Sequence, residues 1–480
     1  MKRPFPGYNA GALAVVASTG LSVLAGFAAL WCLNQILTKD MFGAYSVAVN
    51  AVFLSAIVAT MGLDRAILLR IAGTGGSSGV LRGSGLFWRA AIAVGVASVL
   101  VALLLVVVAG PLVRAGALPD LAFWLPALAL AVLPCALSLL VQGWLQANHQ
   151  TAPAMILPGL SDIARAGCIG VAFLFATGAE GIAVSVMLGA SLPLLVVAAW
   201  LCPRPQRRLP RRLTGSDFRN GALFAFQNLT IAGMRYLDVL LLGLLTTGAI
   251  TADYTIAGRL AGAIDLGRMA LKPTFTPRVR RHLRDRAEAA LGEEYHALRL
   301  GGTVFALVGS GILSMLALPL LGLFGPYESA CAPLLVLAAV HVMNAGTGMH
   351  SSVLSMSGEV AWSAAIRVLS LAALVLLILW LAPRYGALGA ALAMLAVQAG
   401  VNLLSLLVLW HRRRFFGMTW WAASSMSMAV GALLAGAAGA LSPQVVGGAL
   451  LLLALAAWLA ERPARRALLH LLYRSKEPAE

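Results

Sequence analysis

Apolar runs of membrane-helix length divide almost the whole chain, with short polar breaks between them. A hydrocarbon core about 30 Å thick takes about twenty apolar residues to cross as a helix. That ruler places spans near residues 11–37, 41–63, 86–110, 121–145, 153–176, 181–202, 219–245, 250–273, 298–324, 329–350, 360–382, 386–410, 419–440 and 445–461. The pattern predicts an all-α polytopic membrane protein of about fourteen transmembrane helices. Both ends then lie on one side, and no room remains for a sizeable soluble domain.

Composition supports this class. Of 480 residues, 60% are hydrophobic and 11% charged, where a soluble domain carries about 25% charged residues. The N-terminal residues lead into a full-length span, too long for a signal-peptide core. Cys32, Cys135, Cys168, Cys202 and Cys331 are scattered in or beside apolar runs, without CxxC or His/Cys spacing. The sequence therefore suggests no metal, disulfide or cofactor. It holds no Gly-Lys-Ser/Thr loop, HExxH or G-x-S-x-G, which excludes a P-loop ATPase and gives no sign of an enzyme. The glycine-rich run 73–79 is expected to be a flexible cytoplasmic loop.

The net charge of +17 matters through its distribution. With the N-terminus inside, basic clusters at 2–3, 65–89, 204–219, 278–299, 412–414 and 462–476 all fall on the inner side. The opposite loops hold only Lys39, Arg114 and Arg384. The positive-inside rule thus places both termini in the cytoplasm. Most of the charge becomes orientation signal and contact with anionic membrane lipids, not a nucleic-acid surface.

The chain also repeats itself. The junction at 37–48 (LTKDMFGAYSVA) and the junction from Leu245-Thr246 to Tyr254-Thr255-Ile256-Ala257 share a Leu-Thr, Tyr, aliphatic-Ala order, six helices apart. A parallel repeat of this kind marks a two-half transporter with its cargo path between the halves. The expected division is an N-terminal six-helix bundle (1–202), a basic cytoplasmic linker (203–218) and a C-terminal six-helix bundle (219–412), the bundles related by pseudo-twofold symmetry. Helices thirteen and fourteen (413–461) form an appended pair, and 462–480 a cytoplasmic tail.

Six basic residues remain inside spans: Arg165, Arg235, Arg259, Arg268, Lys272 and Arg367. A charge at the centre of a membrane helix costs about 2.5–3.5 kcal/mol on insertion scales, so it needs a wet cavity, a partner charge or an anionic cargo. Four acidic residues, Asp162, Asp238, Asp265 and Glu359, leave a positive surplus after pairing. Arg235 and Asp238 lie about 16 and 12 Å below the outer end of their helix, and Arg259 about 12 Å below the same surface on the next. Asp265, Arg268 and Lys272 form a deeper stripe. The stretch is expected to leave its helix at Pro273 and continue as a basic loop. Asp162 and Arg165 lie one turn apart on helix five.

Structural ion pairing and snorkelling are the bland readings of these residues. A net-positive cavity that grips an anionic cargo bidentately is the functional one, with Arg165, Arg235, Arg259, Arg268 and Arg367 as substrate contacts. Asp162, Asp238 and Asp265 are then charge partners or the sites of H⁺ or Na⁺ coupling. His341, Asn344, His350, Gln398 and Asn402 read as interhelical hydrogen-bonding groups or sugar contacts.

Phe42, Gly43, Tyr45, Gly62 and Leu63 within residues 33–72 resemble the opening of Wzx-type polysaccharide flippases. These belong to the multidrug/oligosaccharidyl-lipid/polysaccharide exporter superfamily. Residues 142–147 (QGWLQA), Arg235 with 238–243, 254–260 (YTIAGRL), 332–337 (APLLVL) and 385–391 (YGALGAA) match further family positions in order, so the likeness covers about 10–412. It implies a monomeric transporter that flips undecaprenyl-diphosphate-linked oligosaccharide units by alternating access, for O-antigen, capsule or exopolysaccharide. A polymerase and a chain-length regulator are expected partners. The alternatives within the superfamily are a cation-coupled multidrug exporter and a lipid II flippase. An acidic lumen and usually twelve helices mark the first, and arginine in or just after the first helix marks the second; residues 11–37 carry no charge.

Overall fold

The computed structural model describes residues 7–72, 84–114, 116–148, 150–201, 215–285, 287–413 and 419–474. Among them there is no strand. The expected loop at 73–79 and residues 203–214 of the expected 203–218 linker lie outside the described residues. By their contacts the helices group into two units, Met1–Ala252 and Asp253–Glu480.

The first unit holds α1 (Gly7–Ile36), α2 (Lys39–Ala59), α3 (Leu63–Ala72), α4 (Ser84–Arg114), α5 (Leu121–Ala129), α6 (Val132–Ala147), α7 (Thr151–Leu174), α8 (Gly178–Leu201), α9 (Gly215–Leu245) and the start of α10 (Gly248–Gly262). Helix α9, which the repeat assigns to the second bundle, packs here on α2 and α3. α5 and α6 together make one expected span, bent by 48°. Pro134 explains the bend, since it brings no N–H for the carbonyl of Leu130. The chain leaves α2 through Met61 and Gly62, both at positive φ, and starts the separate short helix α3.

Tight packing of α9 and α10 on α2 rests on small residues, which let membrane helices approach backbone to backbone. A Cβ on Gly43 would sit 2.0 Å from the Gly248 carbonyl oxygen, and one on Gly62 would sit 2.1 Å from that of Gly221. The contact thus runs from the start of α2 to the turn beyond its end. At the first end, the Asp40 carboxylate accepts from the Ala249 N–H at 2.7 Å and so caps α10. At the other, Asp64 of α3 packs against α6 and α9, with its Oδ2 3.5 Å from Asn228 Nδ2 and 3.7 Å from Arg65 Nε. Its Oδ1 is buried without a partner. Burial pushes the Asp64 carboxyl above the ordinary carboxylate range, against the lowering pull of Arg65.

The second unit holds the rest of α10, then α11 (Leu266–Arg284), α12 (Glu288–Met315), α13 (Ala317–Phe324), α14 (Cys331–Gly346), α15 (His350–Met356), α16 (Val360–Arg413), α17 (Trp420–Ala437), α18 (Pro443–Ala460) and α19 (Arg462–Arg474). One expectation fails here. The chain does not leave its helix at Pro273: α11 carries on to Arg284. The cost of a proline is one missing hydrogen bond and a local clash, and a helix that goes on packing can absorb it. Arg281, His282 and Arg284 then fall in the last turn, where they complement the helix dipole. The actual break comes earlier, in a 3₁₀ turn at Ala263–Asp265. Within the expected cytoplasmic tail, residues 462–474 form a helix, with Ala464 and Leu468 buried one turn apart against the unit.

Helix α16, 54 residues long, supplies two expected spans. They are joined at Gly386, where φ 57° and ψ −131° reverse the chain in a conformation reserved for glycine. Among the described residues, ten helices are long and apolar enough to cross a membrane, and the bent α5–α6 pair makes an eleventh.

The appended helices α17 and α18 pack into the body of this unit. Ala429 and Leu433 of α17 and Val446 and Leu450 of α18 share one core with Leu307 of α12 and Leu335 of α14. A buried ion pair adds to this core: Arg299 of α12 meets Glu461 at the end of α18, with Thr419 Oγ1 3.4 Å from the same guanidinium nitrogen.

A mid-helix arginine and aromatic site

In the first unit, Phe53 of α2 and Tyr236 of α9 stack with ring centroids 5.9 Å apart and planes 22° from parallel. An arginine lies over each ring. The Arg165 guanidinium carbon is 5.4 Å from the Phe53 centroid, and that of Arg235 is 5.6 Å from the Tyr236 centroid. The structure thus joins two of the expected substrate residues, from helices distant in sequence, through two aromatic rings that charge counting missed. Each cation–π contact contributes about 0.5–1 kcal/mol when exposed and about 2 kcal/mol when desolvated.

Local packing explains how Arg165 is held. A Cβ on Gly189 of α8 would lie 2.3 Å from the Arg165 Cα, so α8 presses directly on the α7 backbone at this residue. One turn back, Asp162 Oδ1 accepts from Arg165 NH2 at 2.5 Å. The arginine is the better covered of the two, with 23% of its side chain exposed against 45% for the aspartate. Arg235 is exposed. Asp238, one turn further along α9, is buried, and its carboxylate accepts from the Val239 N–H at 2.8 Å.

In the second unit, Asp265 and Arg268 make a bidentate pair, with both N···O distances 2.7 Å. The 3₁₀ turn ends at Asp265, and Arg268 follows in the first turn of α11. His341 of α14 lies within electrostatic range of both. Asn402 of α16 donates to Asn344 of α14 at 3.0 Å, and Gln398 donates to Asn402 at 3.3 Å, as interhelical and intrahelical polar contacts. Arg259 is exposed and Arg367 half-buried in this unit. The side chain of Lys272 lies outside the described residues. No group of three or more His, Cys, Asp or Glu that could hold a metal occurs among the described residues.

The described residues form a polytopic, all-helical membrane protein in two units, with two in-span arginines set on aromatic faces. Solved structures share the fold. A lipid II flippase MurJ in an inward-closed conformation aligns at TM-score 0.68 and 12% identity, covering 96% of this chain and 99% of its own. An inward-facing multidrug resistance MATE family transporter of the MOP superfamily aligns at 0.61 and 14%, covering 88% and 98%. A Vibrio cholerae MATE transporter aligns at 0.54 and 18%, covering 84% and 98%. No curated protein matches the chain in sequence. The family model for polysaccharide biosynthesis proteins matches residues 9–270, more than half of the chain, and the protein belongs to that family.

Proposed function

We infer that the protein flips polyprenyl-diphosphate-linked oligosaccharide units across the bacterial inner membrane by alternating access, for a surface polysaccharide. Both termini then face the cytoplasm, and the two six-helix halves follow the repeat, 1–202 and 219–412, with helices thirteen and fourteen appended. The observation that carries this is the row Arg165, Phe53, Tyr236 and Arg235 at mid-helix depth. Guanidinium groups grip phosphate oxygens bidentately, and flat aromatic faces take the C–H surface of a sugar by apolar contact. A diphosphate joined to a sugar presents both chemistries side by side. Arg259, Arg268 and Arg367 are the further cationic contacts for the diphosphate within the second unit. Asp162, Asp238 and Asp265 serve as charge partners, or as the groups through which H⁺ or Na⁺ drives the cycle. Anionic lipids, a polymerase and a chain-length regulator complete the setting, with the transporter acting as a monomer.

The test replaces Arg165 and Arg235 singly with Ala in the native host. Surface glycan is expected to disappear at unchanged protein abundance, while lipid-linked intermediate accumulates. Normal surface glycan in both variants overturns the proposal. So does purified wild-type protein that fails to move lipid-linked oligosaccharide across proteoliposome membranes.

A further inference from the structure

A second site lies in the first unit, away from the arginines. Met41 at the start of α2, Asp120, Phe123 and Trp124 around the start of α5, and Thr177 and Glu180 at the α7–α8 turn line a cavity of ≈ 380 Å³. Binding sites for small molecules start at about 300 Å³. The Asp120 and Glu180 carboxylates make no hydrogen bond or ion pair with any described residue. Thr177 Oγ1 already donates to the Ala172 carbonyl at 3.2 Å, so towards the cavity it only accepts. Phe123 exposes 39% of its surface. Trp124 is fully buried beside it in an edge contact, centroids 5.0 Å apart, and its indole N–H has no partner.

We propose that this cavity binds a pyranose ring of the transported glycan on the outer face of the membrane, as the first station after flipping. The side-chain oxygens of its lining accept and the unpartnered Trp124 indole N–H donates, so the occupant must bring several donors and at least one acceptor. A sugar's vicinal hydroxyls meet that need, because one carboxylate can accept from two of them. The aromatic part is a single partly exposed ring over a buried indole. That gives a flat floor for one face of a pyranose. A cage for an organic cation needs several exposed aromatic faces around a point, and only Phe123 is open here. The two carboxylates also repel phosphate, so the diphosphate end is excluded and only the glycan end of the cargo fits. The outer position rests on the topology of the proposed function, in which the 110–121 and 176–181 connections face outward.

The experiment measures binding of the free oligosaccharide released by mild acid from the host's own polyprenyl-diphosphate intermediates. It uses full-length protein in nanodiscs and saturation-transfer NMR, with tetraphenylphosphonium as a cationic probe. The dissociation constant is expected to rise at least tenfold in Phe123→Ala and in the double variant Asp120→Asn/Glu180→Gln, with melting temperatures unchanged. Unaltered oligosaccharide binding in both overturns the site. So does loss of tetraphenylphosphonium binding in these variants while oligosaccharide binding persists. Wild-type protein that flips lipid-linked oligosaccharide yet binds no free oligosaccharide overturns this site alone. Wild-type protein that flips nothing overturns the functional proposal beneath it.

Discussion

Glu461→Ala is expected to be among the most destabilising single changes in the second unit. Arg299 is one of the largest fully buried side chains, its side chain 0% exposed, and Glu461 is only 7% exposed. Among the described residues, Arg299 Nε and NH1 lack acceptors, and Glu461 is the one carboxylate within salt-bridge distance of its guanidinium. Removing one partner of a buried pair costs about 3–5 kcal/mol, because the other charge stays buried without compensation. Replacing both partners by apolar groups of similar size is often neutral or stabilising. The double variant Arg299→Met/Glu461→Leu should therefore melt near the wild type, while Glu461→Ala and Arg299→Met each melt well below it. Thiol-reactive dye melting in detergent reads the order, because unfolding exposes native cysteines of the partly covered kind found at Cys331. If Glu461→Ala melts with the wild type, as an exposed pair worth less than about 1 kcal/mol would, the pair does not hold the appended helices in place.

Other consequences are smaller or local. Phe53→Ala removes the ring under Arg165, a loss of about 1 kcal/mol, and should slow flipping about fivefold below saturation in proteoliposomes. In Gly43→Val the new side chain meets the Gly248 carbonyl; a disulfide formed between Asp40→Cys and Ala249→Cys in the parent should no longer form. Gly386→Ala forces a Cβ into φ 57°, ψ −131° and should lower stability by about 1–3 kcal/mol, seen as reduced melting temperature. Asp64 has its carboxyl raised by burial, so its contribution to stability is fullest below the ordinary carboxylate range and is lost as pH rises through the raised value. The melting difference between Asp64→Asn and wild type should therefore grow in favour of the variant from pH 4 to pH 8.

The spans and the in-span arginines were legible because a charge stands out in an apolar block. Phe53 and Tyr236 were not, since an aromatic residue in such a block is unremarkable until two distant helices stack it under a guanidinium. Arg299 and Glu461 lie at span ends, where charge is expected for orientation, and their pairing across 162 residues leaves no local trace. Pro273 was a stop signal by local rules, yet α11 runs through it. In α19 the arginines masked an amphipathic pattern that was present all along, with Ala464 and Leu468 on one face.

The contact between Arg165 and Asp162 sets a threshold for anything that would replace it. A carboxylate tethered one turn away competes at the effective concentration of an intramolecular group, millimolar or more by the usual arithmetic of short linkers. A singly charged anion at ordinary cellular concentration meets that rival on no better than equal terms. A ligand that brings several charged oxygens at once wins the exchange and leaves Asp162, almost half exposed, free to turn to water. Arg165 is thus kept occupied between visits, and discrimination among anions comes from what must be displaced as much as from what is gained.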